Sequence, residues 1–220
     1  MLSKDAEFND YLHAHFGNTE VLEVAERICR TKKVFVFSGV IRDFFLGGEP
    51  RDLDIVLERL SYREIPTGYL RSKTYLINDF GGLKIKDNKI NIDVWYLDDT
   101  WGIKQERKIA TIDSLIKSAF FNFSAVAYDY REKHFVYGDD FKTFLKTRDI
   151  DLVYCKNPMP SLCIINTIRC IEKYNLGIGD NLRKWLIDNY KTYDYEALQI
   201  SHFGSVLYRN EFVREFILEL

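Results

Sequence analysis

The sequence predicts an α+β fold, a mixed sheet flanked by helices, followed by a small all-helical unit. Three observations carry this prediction. Apolar runs near residues 34–37, 53–57 and 83–97 have the continuous or alternating pattern of strands. Stretches of helical spacing flank them at 1–30 and 139–146. Beyond residue 156 only helical spacing remains, so the chain divides into 1–156 and 157–220, with the boundary near Lys156-Asn157-Pro158.

Taken in order, residues 1–30 read as two helices. The second has Val21, Leu22, Ala25, Ile28 and Cys29 on one stripe, and either Asn18 or Thr19 is placed to cap it. Val34-Phe35-Val36-Phe37 is a continuous apolar run that ends at Ser38-Gly39, as a buried strand does. A short helix runs on through Phe45, and Gly47-Gly48-Glu49-Pro50 makes a turn. Leu53, Ile55 and Leu57 alternate with Asp52, Asp54, Val56 and Glu58 in a second strand. A hairpin follows, with Leu83 and Ile85 entering Asp87-Asn88 and Ile90, Ile92, Val94 and Tyr96 leaving it. Its return strand puts Asn91, Asp93, Trp95 and Leu97 on the other face. Strands are expected near 121–128 and 133–137 and a helix over 139–146. In the second unit, Leu162, Cys163, Ile165, Ile168 and Cys170, then 182–190 and 212–218, have helical spacing.

Composition narrows the function classes. With 46% hydrophobic and 29% charged residues, the chain is ordinary for a globular protein. A formal net charge of −2 lacks the basic excess of a nucleic-acid-binding domain, which argues against a long RNA or DNA partner. Cys29, Cys155, Cys163 and Cys170 form no C-x-x-C pair and read as small hydrophobes in a reducing compartment. The four histidines are isolated, and His13 and His15 are spaced wrongly for a shared ligand face on a helix. The first residues lack an apolar leader and no apolar run reaches the length of a membrane span, so the expected location is cytoplasmic.

The chemistry is concentrated between residues 37 and 55. Positions i and i+2 of a strand share a face, so Asp52 and Asp54 present two carboxylates side by side. Like charges so placed repel unless a cation lies between them. Hard oxygen donors suit Mg²⁺, which also takes phosphate oxygens. Two such ions, about 4 Å apart, can activate an attacking hydroxyl and stabilise a leaving pyrophosphate. Asp93, set among Ile92, Val94 and Trp95, is the candidate third carboxylate. Alone, D-x-D is common and reads first as a solvated strand face. Here a Ser38-Gly39 turn opening a helix precedes it, and such a turn lets backbone N–H groups approach a triphosphate.

These residues resemble the head-domain signature of CCA-adding enzymes and bacterial poly(A) polymerases, in the polymerase-β-like nucleotidyltransferase superfamily. That signature reads G-G-x-V-R-D-x-L-L-G-x-x-x-x-D-x-D. In this chain Ser38 stands for the first Gly and Gly39 matches the second. Ile41-Arg42-Asp43 matches V-R-D, Leu46-Gly47 matches L-G, and Asp52 and Asp54 fall in register. The resemblance implies a polymerase-β-like nucleotidyltransferase head followed by a neck-like helical domain. It implies that Gly39 and Arg42, beside Ser38, contact the nucleotide, and that Asp52, Asp54 and Asp93 are the catalytic, metal-binding carboxylates. Arg42 also has the simpler reading of a structural partner for Asp43. The activity implied is Mg²⁺-dependent transfer of a nucleoside monophosphate from an NTP, ATP foremost, to a hydroxyl acceptor: a small molecule, a protein side chain or an RNA end. The alternatives are a regulatory module that binds nucleotide without catalysis and, third, a tRNA-end or RNA-tailing enzyme.

Two later family motifs are reduced. The family's R-R-D-F-T-I-N-A-L-A-Y corresponds to Ser118–Tyr128, where the apolar frame remains but both Arg and the Asp are gone. Lys117 is a substitute for that charge or simply an exposed lysine. In the neck motif, E-D-x-x-R-x-x-R-A-x-R-F, the base-reading positions are Pro160 and Cys163, the next Arg is Asn166, and only Arg169 persists. A site that loses the groups pairing with a base edge loses its discrimination, so selection of C and A is not expected.

Overall fold

The computed structural model describes residues 2–59, 75–78, 81–87, 90–191 and 193–220. The expected Asp87-Asn88 turn lies partly outside these, at Asn88. The described chain forms two compact units, Met1–Ala119 with Phe123–Lys142, and Phe120–Asn122 with Thr143–Leu220.

The first unit opens with helices α1 (Leu2–Phe16) and α2 (Glu20–Ile28). Thr19, not Asn18, caps α2. Its hydroxyl accepts from the Leu22 N–H at 3.3 Å and donates to the Phe16 carbonyl at 2.6 Å. Val21, Leu22, Ala25 and Ile28 are buried as the stripe requires. There follow β1 (Val34–Phe37), α3 (Gly39–Leu46), β2 (Asp52–Leu57), β3 (Tyr75–Ile77), β4 (Leu83–Asp87) and β5 (Ile90–Tyr96). Two short helices, α4 (Trp101–Gln105) and α5 (Ile112–Ile116), lead to β6 (Val126–Asp129), β7 (His134–Tyr137) and α6 (Asp139–Thr147).

Among the described residues seven strands form one sheet in the order β3-β4-β5-β2-β1-β6-β7, in which β2 and β5 pair in parallel and the other neighbours antiparallel. Register divides its side chains between two faces. Val36, Ile55, Val94, Leu83, Tyr128 and Phe135 line one, where Phe8 of α1 meets the rings of Tyr128 and Phe135 at 4.8 and 5.0 Å. The other face is chemically split. Phe35, Val56 and Ala127 join Leu97, Ile103, Leu115 and Ile116 in an apolar cluster under α4 and α5. Along β2, one pleat beyond that cluster, the side chains become carboxylates.

The second unit contains β8 (Asp149–Ile150), α7 (Pro160–Tyr174), β9 (Gly177–Ile178), α8 (Asp180–Asn189), α9 (Tyr195–Phe203) and α10 (Asn210–Leu218). It is helical as expected, with a two-residue parallel pair, β8–β9, added. The units divide inside α6, between residues 142 and 143. The strand expected over 121–128 is confined to Val126–Asp129, and Asn122–Ser124 form a 3₁₀ turn. The reason is a polar anchor. The Asn122 amide donates to the Asp149 carbonyl at 2.9 Å and accepts from the Asp151 N–H at 3.0 Å, which ties this segment to the second unit's backbone.

No described helix is long and apolar enough to cross a membrane.

Candidate active site

The site begins where β1 meets α3. Ser38 has φ 57° and ψ −103°, a conformation that favours glycine. The matching position of the family signature is the first Gly, so the sequence holds serine where the backbone asks for glycine. Ser38 makes no side-chain capping bond to α3, while its carbonyl accepts from the Arg42 N–H at 3.0 Å. Gly39 stands beside the acids. A Cβ built there would lie 3.9 Å from Asp54 Oδ2, an ordinary contact. The demand for glycine in this Ser-Gly turn therefore falls on residue 38.

β2 carries Asp52 and Asp54 on one face, and its parallel pairing with β5 sets Asp54 beside Asp93 and Asp52 beside Asn91. On the far side of β5, Lys84 of β4 is the register partner of Asp93. On the near side, Phe37 of β1 pairs with Asp54. The row across the sheet thus reads Phe37, Asp54, Asp93, Lys84: two acids together, with a ring on one side and a cation on the other.

The three carboxylates have different surroundings. Asp52 is held from both sides, accepting from Asn91 Nδ2 at 3.0 Å and from an Arg51 guanidinium nitrogen at 3.3 Å. Asp54 is pushed from 3.8 up to about 7, first by burial and then by the charges of Asp93 and Asp52, with Arg42 and Lys84 pulling the other way. Asp93 is raised as well, chiefly by burial, with Lys84 opposing. Its Oδ1 is buried and has no hydrogen-bond partner among the described residues. An acceptor left so costs free energy, and Asp93 keeps it beside a second acid. A hard divalent cation meets both needs, neutralising the pair and supplying the missing partner. Among the described residues no three His, Cys, Asp or Glu side chains converge into a ready-made cage.

Arg42 is paired with Asp43, and its charge also acts on Asp54. Its Nε and Nη2 donate to Asp43 Oδ1 at 3.1 and 2.9 Å, and its guanidinium lies 5.5 Å from the centre of the Phe123 ring. Asp43 is 4% exposed, so this is a buried anchor, and the Arg42 charge still acts on Asp54. The reduced motifs become structural elements. Lys117 pairs with Asp113 at 2.8 Å, one turn away. Cys163 is buried and Pro160 starts α7. Arg169 lies 4.4 Å over the ring of Phe203 of α9.

Asn91 and Lys84 lie outside the motif that points to the carboxylates. Alternation along the hairpin puts both on the polar face, and that was the available signal. Their neighbours, Asp52 and Asp93, follow only from strand register.

No protein-family model and no curated protein sequence matches the chain. Solved structures do resemble it. A CCA-adding enzyme in complex with CTP superposes with a TM-score of 0.65 at 14% identity, over 92% of this chain and 52% of the other. The Thermotoga maritima CCA-adding enzyme complexed with tRNA gives 0.60 at 18% identity, over 81% and 44%. An apo tRNA-processing enzyme gives 0.61 at 16% identity, over 89% and 57%. This chain spans about half the length of these proteins. Its fold is that of a nucleotidyltransferase head of the CCA-adding type.

Proposed function

We propose that the chain is a Mg²⁺-dependent nucleotidyltransferase. It moves a nucleoside monophosphate from an NTP, ATP foremost, to a hydroxyl acceptor with release of pyrophosphate. The single observation that carries this is the pairing of Asp54 with Asp93 across parallel strands, with Asp52 on the same face and one Asp93 oxygen buried without a partner. Such a cluster costs stability unless a cation joins it.

Asp52, Asp54 and Asp93 are the residues to hold Mg²⁺. When bound, the ion supplies charge that eases loss of the acceptor's proton and steadies the leaving pyrophosphate. The chain's own groups do the rest. The acceptor oxygen forms a bond to the α-phosphorus, the bond from that phosphorus to the bridging oxygen breaks, and the proton passes toward Asp93. The turn at Ser38 and Gly39 offers backbone N–H groups to the phosphates, and Arg42 and Lys84 add positive charge beside them.

The test is pyrophosphate release with each of the four NTPs and Mg²⁺, with and without small RNA and a metabolite pool. Release should be abolished by combining Asp52→Asn with Asp54→Asn. Activity that survives the double variant rules this mechanism out. A second reading is a regulatory module that binds nucleotide without transfer, and the engagement of Arg42 by Asp43 and of Asp52 by Arg51 and Asn91 favours it. NTP binding with no release in any condition would select it. A tRNA-end or RNA-tailing enzyme is the third reading. The near-neutral charge speaks against it, and strong salt-dependent tRNA binding would restore it.

A further inference from the structure

The first unit holds a second cluster of charge, at the other end of β1 from the carboxylates. The Val34 carbonyl opens that strand and accepts from the Tyr130 N–H at 2.9 Å. Around this end lies a cavity of about 430 Å³ lined by His13, Glu26, Cys29, Arg30, Tyr130, Arg131 and Lys133. Three fixed cations face one carboxylate. That carboxylate is already occupied, since Tyr130 donates its hydroxyl to Glu26 Oε1 at 3.2 Å and His13 Nε2 stands 3.9 Å from the same oxygen. Arg131 has only a loose pairing with Glu132 at 3.9 Å, and no ion pair engages Arg30 or Lys133 among the described residues.

The backbone that carries these exposed cations is ordered by local bonds. The turn between β6 and β7 is fixed by Asp129, whose Oδ1 accepts from the N–H groups of Arg131 and Glu132, each at 3.0 Å. Lys133 completes the turn at φ 53°. Arg30 follows Cys29, the C-cap of α2. Burial and Glu26 push the Cys29 thiol up while Arg30, Arg131 and Lys133 all pull it down, so one point in the cavity feels all three cations.

We propose that this cavity binds a small phosphate monoester. Three cations against one lining carboxylate leave an excess of positive charge, which suits the negative charge of such a group near neutral pH. Tyr130 and His13 add hydrogen-bonding groups at the wall. The volume exceeds a phosphate and leaves room for the organic part of the ligand. Nothing in this assignment depends on nucleotidyl transfer at the carboxylates.

Cys29 provides a local reporter. The full chain is alkylated with iodoacetamide in EDTA at constant ionic strength, and modification of Cys29 and of exposed Cys155 is followed by peptide mass spectrometry. The probes are AMP, inorganic phosphate and a 5′-phosphorylated RNA oligonucleotide. At about ten times its Kd, AMP should leave roughly one cavity in eleven open, slowing Cys29 about tenfold with Cys155 unchanged. Arg131→Gln combined with Lys133→Gln should abolish the protection; its unprotected Cys29 rate should fall, because both cations lower that thiol, while its Cys155 rate and melting temperature should match the parent's. The Asp52→Asn/Asp54→Asn protein should keep the protection, which separates this site from the carboxylates. Absence of protection by AMP and phosphate, protection by RNA alone, or protection that survives the turn variant would each overturn the proposal.

Discussion

Replacing Asp54 by Asn should make the metal-free protein more stable at neutral pH, although it removes a residue from the centre of the site. Burial, then Asp93, then Asp52 push the Asp54 carboxyl from 3.8 up to about 7. The folded state therefore holds this proton more tightly than the unfolded chain does. Stability from the group is fully present below the unfolded value, declines as pH rises, and is gone once pH passes the folded value. A gap of roughly three pKa units corresponds to about 4 kcal/mol as an upper bound, at about 1.4 kcal/mol per unit. Asp54 is only part-buried, and water and relaxation reduce this to about 2 kcal/mol. Asn keeps the shape and removes the charge. Urea unfolding in EDTA should show Asp54→Asn about 2 kcal/mol more stable than the parent near pH 8, with the difference vanishing toward about pH 4. Added Mg²⁺ should reverse the order, stabilising the parent by about 2.7 kcal/mol at about a hundred times its Kd and leaving the variant unmoved. A variant that is less stable than the parent at high pH without metal, or that shows the same pH dependence, would refute the electrostatic account of this site.

Ser38→Gly should raise the melting temperature by about 2–4 °C, because relief of roughly 1–3 kcal/mol of backbone strain outweighs the extra chain entropy of glycine. An unchanged or lower midpoint in a thermal melt counts against strain at φ 57°. In the second unit, a Cβ at Gly179 would overlap the Asp151 carboxyl group, which accepts from the Leu182 N–H at 2.7 Å at the start of α8. Gly179→Ala should cost more than about 2 kcal/mol in urea unfolding. Gly47→Ala, at φ 70° with open space around it, should cost only about 1 kcal/mol, and equal losses would contradict the clash. Lys84 lowers both Asp54 and Asp93, so Lys84→Gln should move the acid limb of the pH–rate profile for pyrophosphate release to higher pH. An unmoved limb would remove Lys84 from the site.

Local pattern determined a good deal of this protein. The apolar stripe of α2, the continuous run of β1 and the alternation of β2 and β5 follow from side-chain periods of 3.6 and 2, which depend only on near neighbours. The same arithmetic puts Asp52 and Asp54 on one face, and Asn91 and Asp93 on one face. It cannot bring the two pairs together, because register between strands almost forty residues apart is set by hydrogen bonding and packing of the whole sheet. Local pattern also failed over 121–128, where apolar residues suggested a strand but Asn122 found partners in Asp149 and Asp151. Only the tertiary structure turned Arg42 onto Asp43, put Ser38 in a conformation suited to glycine, and brought Lys84 beside Asp93. The sequence named the carboxylates; the parallel pairing of β2 with β5 made them one site, because that register alone forces Asp54 and Asp93 to share the same pleat.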